Sequence, residues 1–286
     1  MAQQIAIYGK GGSGKTTIAA NLAAALAETG QRVLLVGCSP TADSSHLLLG
    51  EVLPVTIASY VQAAVKPPPA ALIASGYRGI GCIEVGDLHG SDSCTARSVV
   101  TALQLLDELE VVERFAPDFV IHDLPGEPGC VGAIMPQAFA DGLSLLVTAA
   151  NFQSLYATNR YIGDLCRSSR RSIALVANGS SSSFEAAFVA DFALQVGLPV
   201  AAAISNSMAV RHSELYGKTV IEAGPLSNHA YAYRRLAKLV SEGRTLAKGR
   251  AQAVPLDAAR LKAWAREWGQ RLGELEFGIV ADGSGI

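Results

Sequence analysis

Ile5-Ala6-Ile7-Tyr8-Gly9-Lys10-Gly11-Gly12-Ser13-Gly14-Lys15-Thr16-Thr17 is the stretch that decides the fold of this 286-residue chain. An apolar run opens into a glycine loop, and a helical pattern from Ile18 to Ala27 follows. Strand, loop and helix N-terminus in that order are the context of a phosphate-binding loop. Glycines let successive backbone N–H groups curl around a triphosphate, and the helix dipole adds positive potential there. Lys15 is spaced to reach the β- and γ-phosphates, and Thr16 to offer its hydroxyl to Mg²⁺. Gly11, Gly12, Ser13, Gly14 and Thr17 complete the candidate cradle. A glycine-rich turn without a ligand has no need of glycines, lysine and threonine in one register.

Lys10 adds a second lysine at the start of the loop, giving Lys-Gly-Gly-x-Gly-Lys-Thr. This resembles the deviant Walker A of the family that includes chromosome-partitioning ATPases, septum-site ATPases and nitrogenase iron proteins. In that family the extra lysine crosses a dimer interface to the partner's nucleotide. The resemblance therefore implies a homodimer that binds MgATP.

Half of the residues are hydrophobic and 17% are charged, enough for a large buried core. A net charge near −2 gives no global basic field, so no nucleic-acid partner is expected. No apolar run approaches the ~20 residues of a membrane span. Met1 leads directly into the first strand pattern, leaving no room for a signal peptide. The expectation is a cytoplasmic protein with no membrane contact. Cys38, Cys82, Cys94, Cys130 and Cys166 are odd in number, widely spaced and form no C-x-x-C, which argues against a disulfide framework. Cys38, Cys82 and Cys166 sit in or beside apolar patterns and read as small buried hydrophobes.

Strand and helix patterns alternate along the rest. Gln31–Gly37, Gly79–Gly86, Asp118–Asp123, Leu143–Thr148, Ser172–Ala177 and Leu198–Ile204 read as strands. The fold class expected is α/β, a P-loop NTPase with a doubly wound, mainly parallel sheet flanked by helices. Residues 51–76, broken by Pro67-Pro68-Pro69, read as a helical surface insertion, and Ser180–Ser183 as a loop. Asp43, in the polar loop after the second strand, is either a carboxylate on the Mg²⁺ or water side, or a cap for the helix that begins near Ser44. Asp123 ends a strand with the layout of a Walker B aspartate and is expected to hold Mg²⁺ through water. Gly126 is placed to give its amide to the γ-phosphate, and Glu127 to orient the attacking water. Cys94 stands just before a helical pattern, where exposed amides stabilise a thiolate. Cys130 follows Glu127 by three residues, so one loop both senses γ-phosphate and carries a thiol. Residues 1–250 are expected to form the ATPase domain. Residues 251–286 are read as a linker, a helix (Asp257 to Leu275) and a tail packed on that domain in preference to recruiting a partner.

With Cys94 and Cys130 placed, the chain resembles the nitrogenase iron protein family, including the ATPase subunits of protochlorophyllide and chlorophyllide reductases. In that family two cysteines from each of two subunits hold one [4Fe–4S] cluster on the dimer axis. The matching positions here are Cys94 and Cys130, while Cys38 and Cys82 match family cysteines that are not ligands. Arg97 matches an arginine on the face that docks the electron-accepting partner, and Asn178 the asparagine that contacts adenine. The resemblance implies an ATP-dependent electron donor to a nitrogenase-like partner, itself reduced by a ferredoxin or flavodoxin. The alternative is a switch ATPase of the partitioning or of the metal- or cluster-delivery type, without a redox partner. Departures fall at the switches and the docking face. Ser39-Pro40-Thr41 replaces Asp-Pro-Lys, Glu127 replaces an aspartate, Asp87–Ser93 lacks Gly-Gly-Pro-Glu, and Ser205-Asn206-Ser207 replaces Pro-Arg-Asp. They suggest a divergent paralogue with its own partner.

Overall fold

The computed structural model describes residues 2–50, 55–88, 95–127, 142–168, 172–243 and 253–278. Eight strands occur in these residues: β1 Gln3–Tyr8, β2 Val33–Gly37, β3 Ala74–Ser75, β4 Gly81–Glu84, β5 Phe119–Asp123, β6 Leu143–Thr148, β7 Ser172–Ser180 and β8 Val200–Ser205. They form one sheet in the order β3-β4-β2-β5-β1-β6-β7-β8. Every pairing is parallel except that of β3 with β4 at the edge. The expected doubly wound, mainly parallel sheet is therefore the fold.

The strands read as continuous apolar runs because both faces are covered. Successive side chains of a strand point to opposite faces. Ala6, Tyr8, Leu34, Val36, Val120 and Leu146 accordingly join one core with Val99, Leu106, Ile162, Phe192 and Trp264. Ile5, Ile7, Leu35, Ile121, Leu145 and Val147 join the other with Ile18, Leu22, Leu26, Tyr233 and Leu236. The first helix, Lys15–Glu28, is buried without interruption from Ile18 to Ala27. Its many alanines let it lie close to the sheet and to the helix Asn228–Glu242.

Two local expectations are corrected. The 51–76 stretch is more than a surface excursion. Its described part holds a short helix, Ile57–Gln62, and strand β3, and it buries Ile57, Ala58 and Leu72 in the core. β7 runs on through Asn178 to Ser180, so Ser180 belongs to the sheet, and Ser183 already begins the helix Ser183–Gln195 with Ser182 as its cap. The last helix, Ala258–Phe277, is capped by Asp257. Its Trp264 and Trp268 indoles both donate to Asp191 Oδ2, at 2.7 and 2.8 Å, and stack among Phe184, Phe188 and Phe192. Among the described residues no helix is long and apolar enough to cross a membrane.

Candidate nucleotide site

Parallel strands all end on one edge of the sheet, and the loops that leave that edge converge. β1 delivers Gly9–Gly14, β2 delivers Cys38–Ser45, β5 delivers Leu124–Glu127 and β7 delivers Asn178. The first helix begins at Lys15 with Gly14 as its cap in the left-handed region (φ +89°) and with no side-chain cap. The amides of its first turn are thus left to a ligand, the arrangement that attracts phosphate. Gly14 cannot carry a side chain here, because a Cβ would sit 2.2 Å from Asn178 Nδ2. That Asn178 amide donates to the Ser13 carbonyl at 2.8 Å and so braces the loop from β7.

Lys15 Nζ reaches back to the Lys10 carbonyl at 3.4 Å. Burial pulls its pKa below the usual lysine value, with Asp123 and Asp43 partly offsetting this. Asp123 is 2% exposed, and its Oδ2 accepts from Thr16 Oγ1 at 2.6 Å and from Ser44 Oγ at 2.8 Å. Burial raises its pKa, opposed by those two hydroxyls and by Lys15. Asp123 Oδ1 is buried and has no hydrogen-bond partner among the described residues. A buried, unpaired carboxylate oxygen beside a threonine hydroxyl is the oxygen donor set that a hard cation such as Mg²⁺ takes. Mg²⁺ therefore fits these residues.

Gly126 lies directly against the phosphate loop. A Cβ there would come within 2.6 Å of the Gly11 amide nitrogen and 3.0 Å of its Cα. Glu127, next in the chain, is exposed. Asp43 is also exposed, and its Oδ1 accepts from Thr41 Oγ1 at 2.8 Å, which in turn pairs with Ser39 Oγ at 2.6 Å. The following helix, His46–Leu49, takes Ser45 as its cap, so the Asp43 side chain does not act as the cap. Lys10 is exposed at the rim of the loop, and Arg97 is exposed on the helix Thr95–Glu108. Thr17 Oγ1 donates to Glu214 Oε1 at 2.7 Å, joining the cradle to the helix Met208–Leu215. The Ser205-Asn206-Ser207 segment makes its own polar network. Ser205 and Ser207 hydroxyls each lie 3.1 Å from a ring nitrogen of His229, and Asn206 Nδ2 donates to Ser181 Oγ.

Cys94 and Cys130 lie outside the described residues. Among the described residues no three of His, Cys, Asp and Glu gather as metal ligands. Cys38 and Cys82 are buried. Burial pushes the Cys38 thiol well above its ordinary value and that of Cys82 up to about 12, so both remain protonated and inert. Ser44, Ser45, Glu84 and Glu214 belong to this edge of the sheet, and no sequence motif marks them. The available signal is Glu84, a single acid inside an otherwise apolar strand pattern.

Residues 3–265 match the family described as 4Fe-4S iron sulfur cluster binding proteins, NifH/frxC family. The chain belongs to that family. It is 34% identical to nitrogenase iron protein 2 of Paenibacillus durus over 285 residues, covering 98% of this chain and 96% of that one. It is 37% identical to nitrogenase iron protein 2 of Methanothermobacter thermautotrophicus over 238 residues, covering 82% of this chain and 88% of that one. Among solved structures it resembles the cell division ATPase MinD of Pyrococcus furiosus, with a TM-score of 0.66 and 25% identity over 85% of this chain and 99% of that one. Family membership is what the sequence motifs imply.

Proposed function

We propose that this chain is the ATP-dependent electron donor of a nitrogenase-like two-component system, working as a homodimer. One observation carries the reading. Gly126 packs on the Lys10–Gly11 backbone, and Cys130 stands three residues past Glu127 in the sequence. A segment that feels the nucleotide thus leads straight into a candidate ligand. A [4Fe–4S] cluster bound by Cys94 and Cys130 of both chains supplies the one-electron chemistry, since two chains together give the four thiolates it needs.

The chain's own residues do the rest. Gly11–Gly14 amides and Lys15 bind the triphosphate, Thr16 and Asp123 orient Mg²⁺, and Asp43 stands at the rim of that site. Gly126 contacts the γ-phosphate, Glu127 aligns water, and Lys10 reaches the nucleotide of the partner subunit. Hydrolysis moves the 124–127 loop and so the docking face around Cys94 and Arg97, where the electron-accepting enzyme binds. A small low-potential carrier such as ferredoxin or flavodoxin restores the electron. Residues 1–250 form the ATPase domain, with 251–286 packed on it.

A second reading, a switch ATPase without a redox partner, is favoured by the fold shared with MinD and by Ser39-Pro40-Thr41 in place of a charged switch pair. Stopped-flow oxidation separates the two. Protein reduced anaerobically, desalted and mixed with a one-electron acceptor dye is expected to release about one electron per dimer, and Cys130→Ala none. A wild-type dimer that releases no electron contradicts the donor reading and leaves the switch.

A further inference from the structure

At the C-terminal ends of three neighbouring strands, Glu84 of β4, Gly37 of β2 and Asp123 of β5 stand in one row. The pairings Gly37↔Glu84 and Gly37↔Asp123 fix that register. Gly37 brings no side chain into the row, and a Cβ there would sit 2.1 Å from Glu84 Oε2 and 2.6 Å from Ser44 Cβ. The two acids therefore flank an opening into which the loop from β2 folds back. Two consecutive residues of that loop take one acid each. Ser44 Oγ donates to Asp123 Oδ2 at 2.8 Å. Ser45 donates to Glu84 Oε1 twice, from its backbone amide and from its hydroxyl, both at 2.6 Å.

Glu84 is 1% exposed, and its Oε2 has no partner among the described residues. A buried carboxyl group with one oxygen unpaired is costly, and a merely structural strand end has no use for it. The strand it ends is the one whose chain continues to Cys94. In contrast, Asp123 bonds the cradle residue Thr16, so the Ser44–Ser45 step joins the cation side of the site to β4.

We propose that Glu84 is a positioning residue that couples the 38–45 loop to β4, so that a change of nucleotide state at Asp123 is passed through Ser44 and Ser45 to the strand leading to Cys94. This inference rests on the nucleotide reading given above. It adds a second route, through β4, beside the one through Gly126 to Cys130. Asp123 and Thr16 would hold Mg²⁺, and a change in how Asp123 is engaged would alter its bond from the Ser44 hydroxyl. Ser45, next in the chain, would then shift against Glu84.

The test is hydrogen exchange by mass spectrometry on the full chain, with MgATP, with MgADP and without nucleotide. In wild type, peptides covering 38–48 and 81–88 are both expected to exchange at least fivefold more slowly with MgATP than without nucleotide, and less so with MgADP. Glu84→Met keeps the MgATP effect at 38–48 and loses it at 81–88. Glu84→Gln, which keeps an oxygen acceptor for Ser45, restores it. If Glu84→Met does not fold, Ser45→Ala takes its place, with the effect at 81–88 cut at least by half. A full MgATP effect at 81–88 in Glu84→Met or Ser45→Ala, or no effect there in wild type beside a clear one at 38–48, overturns the coupling alone. No MgATP effect at either peptide in wild type overturns the nucleotide reading as well.

Discussion

Thr16 donates a 2.6 Å hydrogen bond to Asp123 Oδ2, across a sequence separation of 107 residues. The phosphate loop and the end of β5 are thereby set against one another, and Asp123 Oδ1 is buried with no hydrogen-bond partner among the described residues. Asp123→Asn replaces one carboxylate oxygen by an amide that cannot accept, while leaving the shape unchanged. MgATP hydrolysis is expected to fall by about 10- to 100-fold, as when a group orienting a metal is lost. Nucleotide binding without Mg²⁺ is expected to change little, and a steady-state phosphate-release assay beside a binding titration checks both.

Gly126→Ala asks for space that the Gly11 amide nitrogen already occupies, 2.6 Å from the new Cβ. The 124–127 loop must lift away from the phosphate loop, and a packed backbone yields poorly. The expected result is at least a tenfold loss of MgATP hydrolysis, with folding stability lowered by about 1–3 kcal/mol. A Gly126→Ala variant that hydrolyses ATP normally would mean that this contact does not matter.

The pH dependence of folding reports on Glu84. Burial raises its pKa from 4.5 to about 7, opposed by the two Ser45 bonds and reinforced by the charges of Asp123 and Asp43. The folded chain therefore holds this proton more tightly than the unfolded one, and unfolding between those two pH values releases it. Stability contributed by the protonated group is complete below about pH 4.5 and is lost as pH rises towards 7, by about 3 kcal/mol in all. Urea unfolding in a chelator, without nucleotide, is expected to show that decline in wild type. In Glu84→Gln the decline is expected to be smaller by that amount, and the part due to Asp123, whose pKa burial also raises, is expected to remain.

Asp191 holds both tryptophans of the last helix through one oxygen. Asp191→Ala leaves two nearly buried indole donors without an acceptor, at a cost of about 1–3 kcal/mol each when nothing replaces the bond. Chemical unfolding followed by tryptophan fluorescence is expected to show a loss of about 2–6 kcal/mol. Asp191→Asn keeps an acceptor oxygen and is expected to lose less than half of that.

How much of this is legible in the sequence depends on how local the cause is. The phosphate loop, the strand ending in Asp123 and the parallel sheet follow from patterns within a dozen residues, and the fold bears them out. Asp43 is ambiguous in sequence because its loop conformation, with Ala42 at φ +50°, is set by hydroxyl contacts to Ser39 and Thr41 that no periodicity announces. β7 reads short because Asn178-Gly179-Ser180 has turn composition, yet pairing with β8 carries the strand on. Glu84 and its bond to Ser45 span 39 residues and depend on strand order, which the alternation of elements does not specify. The pairing of Thr17 with Glu214 is more distant still.

The most direct test of the electron-donor claim is iron and acid-labile sulfide analysis of anaerobically purified protein, with electron paramagnetic resonance of the reduced state, on wild type and Cys94→Ala. The account predicts about four irons and four sulfides per dimer and a reduced-cluster signal that the substitution abolishes. Wild-type protein that remains free of iron after anaerobic reconstitution, while still hydrolysing MgATP, would contradict it.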